Sequence, residues 1–335
     1  MKRFRVGLDS YSLKPLRLSA FEVLDWAAAN GAEGVQFSER PCPPAYNGID
    51  RAFLDDLKAR AGEKKLYLEW GGAEHIPIDF ETGRPKDIAS VNRRAAEEAR
   101  ALDARVIRSC SGGLMRWKDG GPATDALLRA AAGSLRSQRP LFKDMGVTLA
   151  IETHFEFTTF ELLRLLEASG AGPGDGLGIC LDTMNLMTML EDPLPAARRV
   201  LPWIVSTHVK DGGLLLEEQG LRSFPVEAGC GVVDLKGIFE ALSELDRETT
   251  LSLEDHGGSF LIPVFDPRFL ARFPDLDAAG FSGLLRLAAG TEARVRSGAA
   301  AVMSREEWPA VCEGRVRRGL AAIRGIVEAG AGRNP

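Results

Sequence analysis

The 335-residue sequence contains few of the residues on which several protein classes depend. It has five cysteines, and none of them belongs to a CxxC pair. A dispersed, odd-numbered set of this kind excludes a disulfide framework and is typical of reduced, buried thiols. We therefore expect a cytoplasmic protein.

Neither sign of charge dominates, because 42 lysines and arginines face 47 acidic residues and leave a formal charge of −5. Nucleic-acid-binding proteins depend on clustered basic side chains, so we expect no nucleic-acid partner. No apolar run approaches the roughly 18 residues that a membrane span needs. The start, MKRFRVGLDS, lacks the apolar segment of a signal peptide because Asp9 and Ser10 interrupt it. We expect no association with a membrane.

What the sequence does contain is a regular alternation of two kinds of segment. Short β-branched or apolar runs predict strands at Arg5–Asp9, Gly34–Phe37, Leu66–Trp70, Arg105–Ser109, Val147–Glu152, Leu177–Asp182, Ile204–His208 and Thr250–Glu254. Longer segments with helical spacing predict helices that include Ser19–Asn30, Asp50–Ala61, Ile88–Leu102, Thr124–Met145, Thr158–Ala168 and Asp234–Leu245. This alternation indicates parallel βαβ units.

The residues after the first predicted strand help to distinguish two parallel architectures. An open, doubly wound sheet that binds a dinucleotide would carry GxGxxG there, but the sequence continues SYSLKPLRLS. Eight units of similar spacing over about 255 residues match the usual size of a (β/α)8 TIM barrel. We therefore predict an α/β fold of the TIM-barrel type, with residues 1–335 as a single catalytic domain.

One segment is longer than this fold requires. Residues 257–304 separate the eighth predicted strand from a last helix near Glu306–Ala329, and they include the helical-looking stretch FSGLLRLAAGTEARVRS. We predict an inserted, partly helical segment that lies over the catalytic face or contacts another subunit. We also expect a homo-oligomer or a partner subunit.

Polar side chains stand at the ends of four consecutive predicted strands. The segments VTLAIE, LGICLD, IVSTH and TLSLE end in Glu152, Asp182, His208 and Glu254. In a TIM barrel the C-terminal strand ends form one rim, where catalytic residues lie. Three carboxylates and one imidazole suit one divalent ion, with Mn²⁺ first and Co²⁺, Mg²⁺ or Zn²⁺ as alternatives. A lone acidic residue at a strand end is often a helix cap, but capping does not account for four in succession.

The segments IETHFEFT, LDTMN, THVKD and LSLE resemble the xylose-isomerase-like TIM-barrel superfamily of sugar isomerases and epimerases. That superfamily includes ketose 3-epimerases, inosose dehydratases and endonuclease-IV-like barrels. The resemblance extends from the first to the eighth strand. It implies that Glu152, Asp182, His208 and Glu254 bind one metal ion. It also implies that the two glutamates act as acid–base catalysts from opposite sides of a small carbohydrate substrate.

Other polar residues near the strand ends are candidates for roles in catalysis or substrate binding. His154 points to the same side as Glu152 in extended backbone, as a general acid or base or as a solvated loop residue. Lys210 either polarises a substrate oxygen or forms a surface ion pair, and His256 either contacts substrate or caps a loop. Arg108 and Trp70 are further candidates that are as readily structural. Asn185 stands where the ketose epimerases have a substrate-contacting histidine.

These residues indicate proton abstraction next to a carbonyl more clearly than they indicate a product. We predict an isomerase or epimerase of a non-phosphorylated keto sugar or polyol ketone, acting through a metal-stabilised enediolate. The alternative is a lyase, either an inosose-type dehydratase or a β-eliminating enzyme on a 3-keto-glycoside. Asn185, His154 and His256 and the long insertion keep this alternative open. A DNA-repair endonuclease would need a histidine-rich zinc cluster, and the sequence has only four histidines.

Overall fold

The computed structural model describes residues 4–41 and 48–331. Within them, parallel strands close into an eight-stranded barrel in the order β1-β10-β7-β6-β5-β4-β3-β2. The barrel strands are Phe4–Asp9 (β1), Gly34–Phe37 (β2), Tyr67–Ala73 (β3), Val106–Ser109 (β4), Thr148–Glu152 (β5), Leu177–Asp182 (β6), Ile204–Val209 (β7) and Thr249–Leu253 (β10). The predicted TIM barrel is therefore confirmed, with strand bounds close to those expected.

Helices surround the barrel and bury their apolar faces against it. They are Ala20–Ala29 (α1), Arg51–Glu63 (α2), Ile88–Ala101 (α3), Thr124–Met145 (α4), Thr159–Ala168 (α5), Asn185–Thr188 (α6), Pro193–Val200 (α7), Leu235–Leu242 (α8), Pro267–Leu270 (α9), Ala278–Arg296 (α10) and Trp308–Ala331 (α11). Thr158 caps α5 in a reciprocal capping box with Glu161. In the part of the chain that the structure describes, no helix is long and apolar enough to cross a bilayer.

A second sheet, antiparallel and three-stranded within the described residues, lies beyond barrel strand β7. Its strands are Asp211–Glu217 (β8), Gly220–Val226 (β9) and Phe260–Ile262 (β11), in the order β11-β9-β8. Sequence analysis did not predict this sheet. The carboxylate of Asp211 accepts backbone N–H groups from Gly229 and Gly231, each at 2.9 Å, and so fixes the return of the chain after the hairpin. Such a contact between distant residues leaves no local pattern in the sequence.

The predicted insertion contains a strand as well as helices. The helical-looking stretch forms α10, which packs against the hairpin of β8 and β9, where the backbone N–H of Leu214 donates to Thr291 Oγ1 at 2.9 Å. On the other side, the Trp117 indole N–H donates to the carbonyl of Leu261 at 2.8 Å. The insertion thus joins the loop after β4 to the sheet beyond β7. The assignment of the whole chain to a single domain stays a prediction.

Candidate metal centre and substrate pocket

Four side chains from neighbouring strands meet at the C-terminal end of the barrel: Glu152, Asp182, His208 and Glu254. They come from the ends of β5 and β6, from β7, and from the residue after β10, which are adjacent in the barrel. One potential ligand atom from each lies within 4.8 Å of the others. All four side chains are buried. The structure therefore brings together the residues that the sequence singled out, while their role as metal ligands stays a prediction.

The chemistry of this cluster fits a divalent cation. Among the described residues, the ammonium of Lys210 is the cation at Asp182 Oδ2 and Glu254 Oε2, and His208 Nδ1 is a buried atom without a hydrogen-bond partner. Buried polar atoms in folded proteins nearly always have one. A cation within the cluster would satisfy His208 Nδ1, and carboxylate oxygens with one imidazole nitrogen are ligands that Mn²⁺, Co²⁺, Mg²⁺ and Zn²⁺ accept.

The imidazole of His208 is oriented from inside the barrel. Its Nε2 is hydrogen-bonded to the amide oxygen of Gln36, and the Gln36 amide nitrogen donates to Glu69. Glu69 in turn accepts from the Thr250 hydroxyl at 2.6 Å. Because an amide oxygen only accepts, Nε2 carries the proton, and Nδ1 faces the cluster at 3.4 Å from Glu152 Oε1. Gln36 was not among the candidates predicted from the sequence, because it lies inside a predicted strand and not at its end.

We expect that replacing Gln36 with leucine weakens binding of Mn²⁺ roughly 10- to 100-fold, as loss of an outer partner of a metal-binding histidine does. The reason is that His208 loses the acceptor that fixes its orientation. Titration calorimetry on the metal-depleted protein measures the change. Gln138→Leu is the matched control, because Gln138 is buried in α4 and bonds Asn92. An unchanged affinity in Gln36→Leu, or an equal loss in the control, contradicts this role.

Two cations are ion-paired with the carboxylates of the cluster. Arg108 Nε donates to Glu152 Oε2 at 2.6 Å. The ammonium of Lys210 is 2.9 Å from Asp182 Oδ2 and also forms an ion pair with Glu254. Lys210 is buried, so it is not the surface ion pair considered from the sequence.

These cations and carboxylates shift one another's pKa values. Burial raises the pKa of Glu152, but Arg108 and then His208 lower it more, so it lies well below 4.5. Burial likewise raises the pKa of Glu254, and Lys210 is the largest influence that brings it below the ordinary value. Burial lowers the pKa of His208, but Glu152 and Glu254 raise it further, to about 9. Binding of a metal through His208 at neutral pH therefore releases a proton.

A cavity of about 260 Å³ opens beside the cluster and reaches Glu152 and Glu254. It is slightly smaller than the ~300–1,000 Å³ of sites for drug-sized ligands, which restricts it to a small molecule. Five candidates from the sequence line it: Arg108, His154, Asn185, Lys210 and His256. The structure thus places these residues around one pocket, and their roles toward a substrate stay predictions.

The pocket also contains residues that sequence analysis missed. Tyr11 is the second residue after β1, and its hydroxyl accepts from Arg305 at 2.6 Å. Phe155 and Phe260 add an aromatic wall, with ring centroids 4.8 Å apart. Because Tyr11 follows a predicted barrel strand, its position in the sequence could have marked it as a candidate for the pocket. Arg305 and Phe260 reach the pocket only through the folding of the insertion, which no local pattern indicates.

The sixth candidate, Trp70, does not line this pocket, and its prediction as a substrate contact is corrected. Its side chain is fully buried, and its indole N–H donates to Glu98 of α3 at 2.9 Å. The physical reason is the alternation of side chains along β3. Glu69 points into the barrel toward Gln36, so its neighbour Trp70 points outward to the helices. The strand also continues to Ala73, which places the true strand end three residues later.

A closed (β/α)8 barrel with a buried cluster of carboxylates and histidine at its C-terminal strand ends defines the class of this protein as a TIM barrel with an enzyme-like site. The model of the family described as xylose isomerase-like TIM barrel matches residues 24–271. The chain belongs to this family, which confirms the resemblance seen in its strand-end motifs.

Individual relatives in this superfamily carry out different reactions. A 3-oxo-isoapionate decarboxylase of Pectobacterium atrosepticum is 26% identical over 261 residues, which cover 74% of this chain and 84% of that protein. A D-psicose 3-epimerase of Clostridium cellulolyticum H10, solved with D-tagatose, has a TM-score of 0.58 at 16% identity and covers 89% of this chain and 100% of its own. The probable 3-DHS dehydratase AsbF of Bacillus anthracis has a TM-score of 0.57 at 17% identity, with coverage of 75% and 92%. The two structural matches, each under 25% identical, show a shared fold, and the curated relative that matches most of this chain is named as an enzyme.

Proposed function

We propose that the protein is a divalent-metal-dependent lyase that decarboxylates a small, non-phosphorylated 3-oxo sugar acid through an enediolate of the substrate. The observation that carries this proposal is the pairing of each glutamate of the cluster with a buried cation, Glu152 with Arg108 and Glu254 with Lys210. The decarboxylase relative, which matches most of both chains, supports the same reaction class.

The ion pairs bear on the reaction because they weaken the glutamates as bases. An adjacent cation stabilises the ionised carboxylate, lowers its pKa and so reduces its ability to remove a proton from carbon. Isomerisation and epimerisation require such a base. Loss of carbon dioxide produces the same enediolate without one.

The bound metal ion would supply a positive charge that polarises the carbonyl and stabilises the developing enediolate. Around it, Lys210 and Arg108 hold the negatively charged substrate and exclude water from one side of the pocket. The bond between the carboxylate and its neighbouring carbon breaks, carbon dioxide leaves, and the electron pair passes to the carbonyl oxygen. A proton must then replace the carboxyl group on carbon.

His154 is the proton donor in this proposal. Burial lowers its pKa, but the neighbouring Cys110 and Glu156 raise it more, so the pKa lies well above 6.5, which favours the protonated ring. Its Nδ1 is held at 3.2 Å from Glu156 Oε1, and the ring lines the pocket. A protonated imidazole can donate a proton to carbon, whereas a carboxylate whose pKa is lowered is ionised and has no proton to donate.

The second candidate function is the isomerase or epimerase of a keto sugar. It is favoured by the placement of Glu152 and Glu254 on the outer strands of the four-strand arc β5-β6-β7-β10, with Asp182 and His208 between them. Two carboxylates on either side of a substrate can exchange protons with both of its faces. Asn185 counts against a standard ketose epimerase, because an amide cannot transfer the proton that a histidine would.

Mass spectrometry in D₂O distinguishes these functions. The protein is stripped with a chelator, reloaded with Mn²⁺ and incubated with ketoses, inososes, 3-keto-glycosides and 3-oxo sugar acids. We expect a 3-oxo acid to release carbon dioxide and yield a ketose carrying one carbon-bound deuterium. A deuterated product of unchanged skeleton would make the protein an isomerase or epimerase, and loss of water or an aglycone would make it a lyase of another type. Equal turnover by the chelator-treated protein would contradict metal dependence.

A further inference from the structure

A second group of metal-ligand side chains lies beside the pocket, outside the four-residue cluster. Cys110 follows β4, and His154 and Glu156 follow the adjacent strand β5. Each offers a ligand atom, and these atoms all lie within 4.8 Å of one another. The Cys110 sulfur is 3.8 Å and the His154 Nδ1 is 3.2 Å from Glu156 Oε1.

These separations are close to those between ligand atoms around a tetrahedral zinc ion. With Zn–S near 2.3 Å and Zn–N and Zn–O near 2.0–2.1 Å, the ligand atoms lie roughly 3.3–3.8 Å apart. Because Oε1 of Glu156 already accepts two backbone N–H groups, the ligand oxygen would be Oε2 of the same carboxylate. The site would keep a fourth position, toward the cavity that Cys110 and His154 both line.

A second observation points to a missing partner at this place. Glu156 is 1% exposed, and its Oε2 has no hydrogen-bond partner among the described residues. Its other oxygen is saturated, because it accepts the backbone N–H groups of Gly112 at 2.6 Å and Gly113 at 2.9 Å. A buried carboxylate oxygen without a donor costs stability unless a cation or proton satisfies it.

We propose that Cys110, His154 and Glu156 form a zinc site that is separate from the four-residue cluster. A thiolate and an imidazole are softer ligands than carboxylates and select Zn²⁺, whereas the cluster with three carboxylates favours harder ions such as Mn²⁺. A zinc-bound cysteine is a thiolate, so binding would release the thiol proton of Cys110 to solvent. Zinc in this site would occupy the side chain of His154, which is the proton donor in the proposed lyase reaction, so inhibition of that reaction by zinc is a consequence that rests on the proposed function.

Cobalt spectroscopy tests this site without any assay of turnover. The metal-depleted, fully reduced protein is first saturated with Mn²⁺ and then titrated with Co²⁺, which substitutes for zinc. Cobalt bound to a thiolate gives an intense sulfur-to-cobalt charge-transfer band in the near ultraviolet, and cobalt bound only to oxygen and nitrogen does not. We expect the band to appear in the wild-type protein as Co²⁺ is added and Zn²⁺ to abolish it by displacement. Any Co²⁺ that replaces Mn²⁺ in the cluster gives no such band, because the cluster has no thiolate.

The variant Cys110→Ser is expected to lose the band and the matching equivalent of Co²⁺, while its Mn²⁺ affinity and circular dichroism stay those of the wild type. Cys230→Ser is the matched control, because Cys230 is another half-buried free thiol and lies in the loop after β9. Glu156→Gln is expected to weaken Co²⁺ binding at least tenfold. No band in the wild type, a band retained in Cys110→Ser, or a band lost in Cys230→Ser would each overturn the proposal.

Discussion

Replacing Glu254 with glutamine is expected to lower kcat/KM on the order of 10³-fold, the upper range for loss of one preorganised electrostatic contact, while the fold is retained. Glutamine has nearly the same shape but removes a negative charge from the cluster. The fold survives because Lys210 keeps Asp182 as a carboxylate partner at 2.9 Å. Glu152→Gln should also abolish turnover, but it leaves Arg108 without its carboxylate, so Glu254 gives the cleaner experiment.

Steady-state kinetics on the substrate found in the D₂O screen measure this effect, together with calorimetric titration of Mn²⁺ and thermal unfolding. The control is Glu227→Gln, in which glutamine replaces a carboxylate that pairs with Arg318 on the surface at 2.6 Å. Its activity should stay within about twofold of the wild type, since surface ion pairs contribute little. Full activity of Glu254→Gln would remove Glu254 from the proposed site.

Replacing Lys210 with methionine is expected to separate metal binding from turnover. Methionine fills a similar volume without the charge, so kcat/KM should fall about 10²- to 10³-fold as a buried electrostatic contact to the substrate is lost. Mn²⁺ affinity should stay equal or rise, because the ammonium of Lys210 repels a cation and competes for Asp182 and Glu254. A loss of this kind with intact metal binding marks a residue that acts on the substrate.

The same kinetics and calorimetry apply, and Lys236→Met provides the control. Lys236 lies on the surface of α8 beside Glu240, far less buried than Lys210. If Lys210→Met kept wild-type turnover, the proposal that this cation holds an acidic substrate would fail. If it instead lost Mn²⁺ together with activity, Lys210 would support the metal centre and not the substrate.

The barrel and the four-residue cluster follow from patterns that are local in the sequence. Apolar runs of strand length alternate with helical spacing, and a polar residue ends each of four runs. Because parallel strand ends share one rim of a barrel, Glu152, Asp182, His208 and Glu254 could be grouped before any contact was known. The inference needed only the order of the elements along the chain.

The errors and omissions arose where a contact joins distant residues. Trp70 was a candidate for the pocket, or equally for a structural role, because its strand was predicted to end there. The strand continues to Ala73, and side-chain alternation directs Trp70 outward to Glu98. The antiparallel hairpin depends on hydrogen bonds that the Asp211 carboxylate accepts from Gly229 and Gly231, which lie 18 and 20 residues later in the sequence. Gln36 has no motif of its own, because its importance comes from its contact with His208.

By itself, therefore, the sequence determined the closed barrel, the family and the identity of the residues at its functional end, since those depend on periodicity and on chain order. Only the tertiary structure decided how those residues are charged and oriented. It placed Arg108 and Lys210 against the glutamates and brought Cys110 next to His154. It also oriented the His208 ring by a hydrogen bond to Gln36. Such pairings depend on side-chain direction across neighbouring strands, which periodicity along one strand does not encode.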